Sequence, residues 1–457
     1  MSTAFDAIII GTGQAGPPLA GRLTKAGMKV AVIERGLFGG TCVNTGCIPT
    51  KAMVASAYAA HIARRAGDYG VIDGAVSVDM KKVWARKGQI SGKSRDGVES
   101  WLKNMDNCTV YQGQGRFEAA HEVSVGDARL TAERIFINVG GRATIPNLPG
   151  VNDVPYLTNS SMMNVNFLPR HLVIIGGSYI GLEFGQMFRR FGSEVTIIEM
   201  GPRLIQHEDE DVSAAIEDIL KNEGINVHLN ASCTRLAKQG DDIIATADCT
   251  GPAKEIRGSH VLLATGRRPN TDDLGLEKAG IQADERGYIR VDDQLRTNVP
   301  GVWALGDCNG QGGFTHTSYN DFEIVAANLL DHDPRRLSDR IRTYALYIDP
   351  PLGRAGMTET EVRKSGRKAL IGKRPMTKVG RAVEKGETQG FMKILVDAET
   401  REILGASLLG TGCDEVIHCI LDVMYAKKPY TVIQRAVHIH PTVSELVPTM
   451  LGELQPF

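Results

Sequence analysis

No stretch of this 457-residue chain approaches the ~18 consecutive apolar residues that a membrane-spanning helix needs, so no membrane span is expected. Charge of one sign is lacking too. Lys and Arg number 52 against 53 Asp and Glu, a formal net charge of -1, which argues against nucleic acid or an anionic membrane as a partner. Aromatic residues make up only 6% of the chain, leaving little from which to build a base-stacking surface. Cysteine is sparse: eight residues, at 42, 47, 108, 233, 249, 308, 413 and 419, are too few for a secreted disulfide scaffold of this size. The opening Met1-Ser2-Thr3-Ala4-Phe5-Asp6 has neither the basic region nor the apolar run of a signal peptide, and a cytoplasmic protein is expected.

Glycine is plentiful at 51 residues, beside 42% hydrophobic residues, the composition of a turn-rich α/β protein. The length exceeds what one core can serve and fits about three domains. Ala7 to Ile10 reads as a buried strand, followed by Gly11-Thr12-Gly13-Gln14-Ala15-Gly16, a helical stretch to Gly27 and a second strand ending in Glu34. This is a βαβ dinucleotide-binding unit. Its glycines allow a tight turn and let a pyrophosphate reach a helix N-terminus, where free N–H groups and the helix dipole favour anions. Glu34 is placed to accept hydrogen bonds from an adenosine ribose.

The unit recurs. Leu172 to Ile175 leads into Gly176-Gly177-Ser178-Tyr179-Ile180-Gly181, a helix through Arg190, and a strand from Val195 to Ile198 that delivers Glu199. From first glycine to acid is 23 positions in both copies, which marks two separate dinucleotide sites. Ser178 stands where the motif usually has its middle glycine. Glu199 bears on the nicotinamide cofactor, because a carboxylate there accepts from a free 2′-hydroxyl and repels a 2′-phosphate. NADH is therefore expected in preference to NADPH, with Arg203 near enough in sequence to swing in.

Behind the first unit comes Gly39-Gly40-Thr41-Cys42-Val43-Asn44-Thr45-Gly46-Cys47-Ile48-Pro49-Thr50-Lys51, with two cysteines five positions apart. Five residues of regular helix climb roughly 7.5 Å, whereas the Cα atoms of a disulfide usually lie about 4.4 to 6.8 Å apart. A bridge here needs a distorted helix start, which Gly46 and Pro49 permit. In a reducing compartment such a pair is catalytic more often than structural; two reduced core cysteines are the alternative.

These motifs resemble the class I pyridine nucleotide-disulfide oxidoreductases, the family of glutathione reductase, dihydrolipoamide dehydrogenase and mercuric reductase, from Ala7 nearly to the last residue. The resemblance implies a redox-active Cys42-Cys47 disulfide, with Cys47 against the flavin and Cys42 exchanging with substrate. It also implies that Lys51 touches the flavin and pairs with Glu183. FAD contacts are implied at Gly11, Gly13, Gly16, Glu34, Thr41, Lys51, Gly115, Gly140, Thr315 and at Asp307, which ends Gly301-Val302-Trp303-Ala304-Leu305-Gly306-Asp307. Contacts to the nicotinamide nucleotide are implied at Gly176, Gly177, Tyr179, Gly181, Glu199 and Gly266, with Tyr179 covering the empty nicotinamide pocket. Near the end, His438-Ile439-His440-Pro441-Thr442-Val443-Ser444-Glu445 resembles the family's closing dyad, in which His440 moves the proton of the exchanging thiol and Glu445 orients it. A histidine suits that task because its ordinary pKa near 6.5 allows transfer both ways. In the family this histidine serves the other subunit's disulfide, so a homodimer is implied.

The implied fold is α/β: two Rossmann-like domains, for FAD and for NAD(P), and an α+β C-terminal dimerisation domain. The FAD domain is expected at 1–150 and 281–340, the NAD(P) domain at 151–280, and the dimerisation domain at 341–457. Within the family, Cys42 to Lys51 and Phe314 to Asp321 most resemble the mercuric-reductase-like branch that includes flavoenzymes of reactive-chlorine resistance. The chain opens directly onto the FAD strand and ends Leu451-Gly452-Glu453-Leu454-Gln455-Pro456-Phe457 without a cysteine pair, so efficient mercury reduction is not expected.

The function expected is reduction of a small-molecule disulfide or related electrophile. Metal-ion reduction, of mercury or copper, and dihydrolipoamide oxidation are the enzyme alternatives, and a flavin-bearing redox sensor is the non-enzyme one. No metal site is expected: Cys413 and Cys419 flank His418 without zinc-type spacing, and Cys108, Cys233 and Cys249 are isolated. The acidic run Glu208-Asp209-Glu210-Asp211 reads as charge complementing a helix start. The basic residues between Arg367 and Lys385 read as a solvated sheet face.

Overall fold

A computed structural model describes residues 2–72, 74–232, 234–247 and 254–457; Cys233 and Cys249 lie outside the described residues. Strand Ser2–Ile10 pairs in parallel with Val30–Glu34 on one side and Ala128–Ile137 on the other. Ala7, Ile8, Ile9 and Ile10 are buried, as expected for a parallel strand covered on both faces. Cys108–Gln112 extends the sheet beyond Val30–Glu34, and an antiparallel pair, Gly115–Ala119 and Glu122–Val125, extends it beyond Ala128–Ile137. Val302–Ala304 also joins Ala128–Ile137 in parallel. This first sheet thus draws strands from both sides of an inserted unit.

The chain leaves and returns through one short antiparallel ladder, Gly141–Ala143 against Arg267–Pro269. Between them lies a second parallel sheet, in the order Asn226–His228, Glu194–Ile198, His171–Ile175, His260–Leu263. A three-stranded antiparallel sheet of 235–239, 242–247 and 254–258 packs beside it. From Thr343 onward six antiparallel strands form the third unit, whose central strands Phe391–Asp397 and Ile403–Leu409 are buried throughout. One continuous apolar core joins the units: Met53 of the first, Phe184 and Phe188 of the second, and Leu346 and Phe391 of the third belong to it.

The acidic run departs from its reading as helix-start charge. Glu210 and Asp211 do open helix Glu210–Asn222, but Glu208 and Asp209 are buried against the third unit. Lys393, itself 1% exposed, places its Nζ 2.8 Å from Asp209, 2.7 Å from Asp211 and 2.6 Å from Glu359. Among the described residues these three acids are the one group with metal-like spacing, and an ammonium occupies its centre. Arg354 lies 4.0 Å from Glu208 and 3.8 Å from Asp209. The sequence signal was ambiguous because the cations come from strands about 150 to 180 positions away.

The cysteines at 413 and 419 sit in helix Cys413–Tyr425, Cys413 buried and Cys419 bonded to the Val416 carbonyl. Among the described residues, no helix is long and apolar enough to cross a membrane.

Candidate active site

The two glycine loops are built alike. Gly11 has φ +104 and Gly176 has φ +116, and a Cβ on either would collide with a neighbouring strand's carbonyl: Asn138 O at 2.2 Å and Ala264 O at 2.4 Å. Only glycine fits there. Ser178 has an extended backbone, φ -106, and is partly exposed, so a side chain is accommodated without strain. The terminal acids match as well: Glu34 Oε2 accepts the Thr12 N–H at 2.9 Å, and Glu199 Oε2 accepts the Gly177 N–H at 2.6 Å.

The cysteine segment folds onto the first loop. A Cβ on Gly40 would lie 2.9 Å from Gly13 Cα, so two glycines make this approach possible. The Gly39 N–H donates to Thr12 Oγ1 at 3.1 Å. Helix Gly40–Asn44 carries Cys42, breaks at Thr45–Gly46, and a new helix, Cys47–Arg64, begins at the second cysteine. That break is the distortion the spacing required. Both cysteines are free thiols, in hydrogen-bonding contact with each other.

Their environments polarise them in opposite senses. The hydrogen bond from Cys42 holds the Cys47 thiol low, to about 6, against the effect of burial; the Thr315 hydroxyl, 3.1 Å from Cys47 Sγ, and the Lys51 ammonium act the same way. Cys42 is pushed well above the ordinary thiol range by its hydrogen bond to Cys47, by burial and by the neighbouring thiolate charge. Cys47 is thus the thiolate and Cys42 the protonated partner. Lys51 Nζ pairs with Glu183 Oε2 at 2.6 Å and lies 4.5 Å from the centroid of the Tyr347 ring.

A cavity of about 760 Å³ runs along these groups. Of the expected residues, Gly11, Gly13, Glu34, Thr41, Cys42, Cys47, Lys51, Gly115, Gly140, Tyr179, Glu183, Asp307 and Thr315 line it. Its donors and shape fit FAD: glycine backbone where a Cβ would intrude, an acid at the far end of the βαβ unit, and Asp307. Burial pushes the Asp307 carboxyl up, opposed by Arg267 at 3.5 Å. Gly16 packs behind, against the Gly11 carbonyl. Gly176, Gly177, Gly181, Glu199 and Gly266 lie outside this cavity's lining, on the second unit and its crossing.

Three groups escaped the sequence reading. Asn138 backs the first glycine loop, Arg267 faces Asp307, and Tyr347 brings the third unit to Lys51 and Glu183, its N–H donating to Glu183 Oε1 at 3.1 Å. Tyr347 follows a strand with no motif around it, so no local signal marked it. Phe314 stacks on Tyr344 at 5.6 Å and meets Tyr179 at 5.6 Å, one ring from each unit.

His440 Nδ1 lies 2.9 Å from Glu445 Oε2, and the histidine side chain is 79% exposed. This pair forms as expected, yet it stands outside the lining of its own chain's cavity. His438 is half-buried, its Nδ1 3.2 Å from the Ala436 carbonyl.

Two nucleotide-binding units, a dithiol at the cavity and a third unit carrying an exposed histidine define a flavoprotein disulfide reductase. The chain belongs to the pyridine nucleotide-disulphide oxidoreductase family, whose model matches residues 5–321, with the family's dimerisation domain matching residues 343–451. It is 36% identical to the probable pyridine nucleotide-disulfide oxidoreductase RclA of Escherichia coli (strain K12), over 96% of this chain and 97% of that protein. It is 33% identical to a mercuric reductase of Streptomyces lividans, over 97% and 94% of the two chains. A solved structure, the Cu(II) complex of the HOCl-induced flavoprotein disulfide reductase RclA from Escherichia coli, superposes with a TM-score of 0.90 at 35% identity, covering 98% of this chain and 99% of that one.

Proposed function

We propose that this enzyme works as a homodimer that reduces a small-molecule disulfide or related electrophile with NADH in preference to NADPH. The observation that carries the reading is the Cys42–Cys47 pair in contact at the cavity, with the Thr315 hydroxyl 3.1 Å from Cys47 Sγ and the Lys51–Glu183 pair beside it. FAD, when bound, supplies the two-electron relay between nicotinamide and sulfur. The protein's own groups do the rest. Cys42, deprotonated by His440 of the partner subunit, attacks one substrate sulfur; a mixed disulfide forms and the first thiol leaves with the proton from His440. Cys47 thiolate then attacks the Cys42 sulfur, releasing the second product as a thiolate that takes a proton from water and closing the Cys42–Cys47 bond. Each cycle consumes one NADH, one proton and one disulfide and yields two thiols.

The exposure of His440 and its place outside the lining of its own chain's cavity support a role across a subunit interface. A raised Cys42 thiol requires a base, and an imidazole is the side-chain type that can take and return its proton. A reducing compartment such as the cytoplasm suits a cysteine pair that must cycle. Glu199 supports the choice of NADH.

Metal-ion reduction is the second reading, favoured by the exposure of Cys47 to the cavity, which leaves a soft sulfur donor open to a thiophilic ion. The deciding experiment is an acceptor panel at fixed NADH: disulfides, electrophiles, Cu(II) and Hg(II). Turnover with metal ions alone would overturn the disulfide reading, and oxygen-only turnover would overturn both.

A further inference from the structure

Both oxygens of Glu199 are engaged, and in a different pattern from Glu34. Glu199 Oε2 accepts only the Gly177 N–H among the described residues, while Oε1 accepts the Gly201 N–H at 2.8 Å and the Gln206 side-chain amide at 3.1 Å. In Glu34 the oxygen that accepts two hydrogen bonds is Oε2, from both the N–H and the hydroxyl of Thr12, and Oε1 accepts the Gly36 N–H. A carboxylate oxygen accepts about two hydrogen bonds. Glu199 therefore has its remaining capacity at Oε2, beside the glycine loop, and Gln206 is what fills Oε1.

Gln206 reaches Glu199 through an unusual backbone. Ile205 has φ +44, a left-handed conformation that a β-branched residue adopts only under constraint. The constraint is its burial, together with a hydrogen bond from its N–H to the Gly177 carbonyl at 3.0 Å. The side chain of Gln206 then passes over Gly201: a Cβ there would lie 1.8 Å from Gln206 Nε2, so a larger residue at 201 would push the amide aside. The backbone carbonyl of Gln206 accepts from Arg203 Nη2 at 3.2 Å, and Arg203 Nη1 pairs with Glu210 Oε1 at 3.2 Å. Backbone strain of this kind gathers at functional sites, and here it serves one residue that holds both an acid and an arginine.

We propose that Gln206 is a positioning residue that sets the pyridine-nucleotide preference through Glu199. Its side-chain amide fixes the carboxylate with Oε2 free for a ribose hydroxyl, while its main-chain carbonyl, kept in every variant at this position, and Glu210 restrain Arg203 from pairing with a 2′-phosphate. The proposal rests on the reading of Glu199 as the ribose acceptor.

The test measures dissociation constants of NAD+ and NADP+ by calorimetry on the oxidised, FAD-loaded protein. Gln206→Met keeps the bulk and removes the donor; Gln206 is exposed, and Gln206→Asn, too short to reach, repeats the measurement should the first variant fold poorly. Gln206→Met is expected to weaken NAD+ about 3- to 10-fold, the loss of one hydrogen bond to a charged group acting indirectly, with NADP+ changed less than about twofold. Glu210→Gln is expected to tighten NADP+ about 2- to 5-fold, the scale of an exposed ion pair, and to leave NAD+ alone. A wild type that prefers NAD+ but keeps its NAD+ to NADP+ ratio in either variant overturns the proposal alone. A wild type that binds NADP+ more tightly overturns the reading of Glu199 and the proposal with it.

Discussion

Lys51 Nζ lies 2.6 Å from Glu183 Oε2, joining the helix that starts at Cys47 to the helix that starts at Tyr179 across 132 positions of sequence. The Glu183 side chain is 6% exposed and that of Lys51 34%. The pair ties the cysteine helix to the second nucleotide unit and holds a positive charge beside Cys47.

Removing the cation leaves a buried carboxylate that, among the described residues, keeps the Tyr347 N–H as its remaining donor. Lys51→Met is expected to cost about 1–2 kcal/mol, less than a fully buried pair because Lys51 is partly solvated. A lower urea midpoint checks this. The same variant should raise the pH at which Cys47 ionises, since a favourable charge is gone; an unchanged Cys47 titration would show that the ammonium does not act on the sulfur.

Cys47 thiolate should give the reduced enzyme a long-wavelength absorbance band against oxidised flavin. Cys47→Ser should abolish it and Cys42→Ser should retain it. Because the Cys47 pKa is lowered to about 6, the thiolate persists above that pH, and the band should fade as pH drops through it. A band that survives in Cys47→Ser reverses the assignment of the two sulfurs.

His440→Ala should leave flavin reduction by NADH nearly intact and slow disulfide turnover by about 10² to 10⁴-fold, the usual weight of a general acid-base group. Mixing Cys42→Ser subunits with His440→Ala subunits should restore activity, because one composite site in each heterodimer regains both groups. A mixture that verifiably exchanges subunits and stays inactive argues for a histidine acting within its own chain.

Lys393→Met leaves Asp209, Asp211 and Glu359 facing one another without their shared ammonium. A loss of about 3–5 kcal/mol is expected at neutral pH, the cost of stranding buried charge. In the wild type, burial opposes ionisation of Asp211, but hydrogen bonds from Lys373 and Lys393 prevail and hold its carboxyl below the usual range. A carboxyl lowered in the folded state stabilises above its unfolded pKa, near 3.9, and that stabilisation is lost as pH falls through the folded value. Acid denaturation should therefore narrow the gap between wild type and Lys393→Met below about pH 4. A gap constant from pH 7 to 3 would exclude the network as its source.

The two βαβ units, their glycines, Glu34 and Glu199, and the helix break between Cys42 and Cys47 were legible from the residues themselves, while the pairing of His440 with Glu445 came from the resemblance of their segment to the family's closing dyad. Each of these is local. A tight turn, a helix N-terminus or a contact five residues away is decided by backbone permissions and side-chain reach within one short segment, so the residue pattern carries it. The burial of Glu208 and Asp209 against Arg354 and Lys393, the contact of Tyr347 with Lys51, and the place of His440 outside its own cavity's lining emerge only when the units pack together. Those outcomes depend on which apolar faces pack across units, and packing of that kind leaves no periodic trace. Gln206 shows the boundary most plainly: its neighbour Glu199 was legible as the end of a strand, but its own reach depends on a left-handed Ile205 that burial and the Gly177 carbonyl impose from outside the segment.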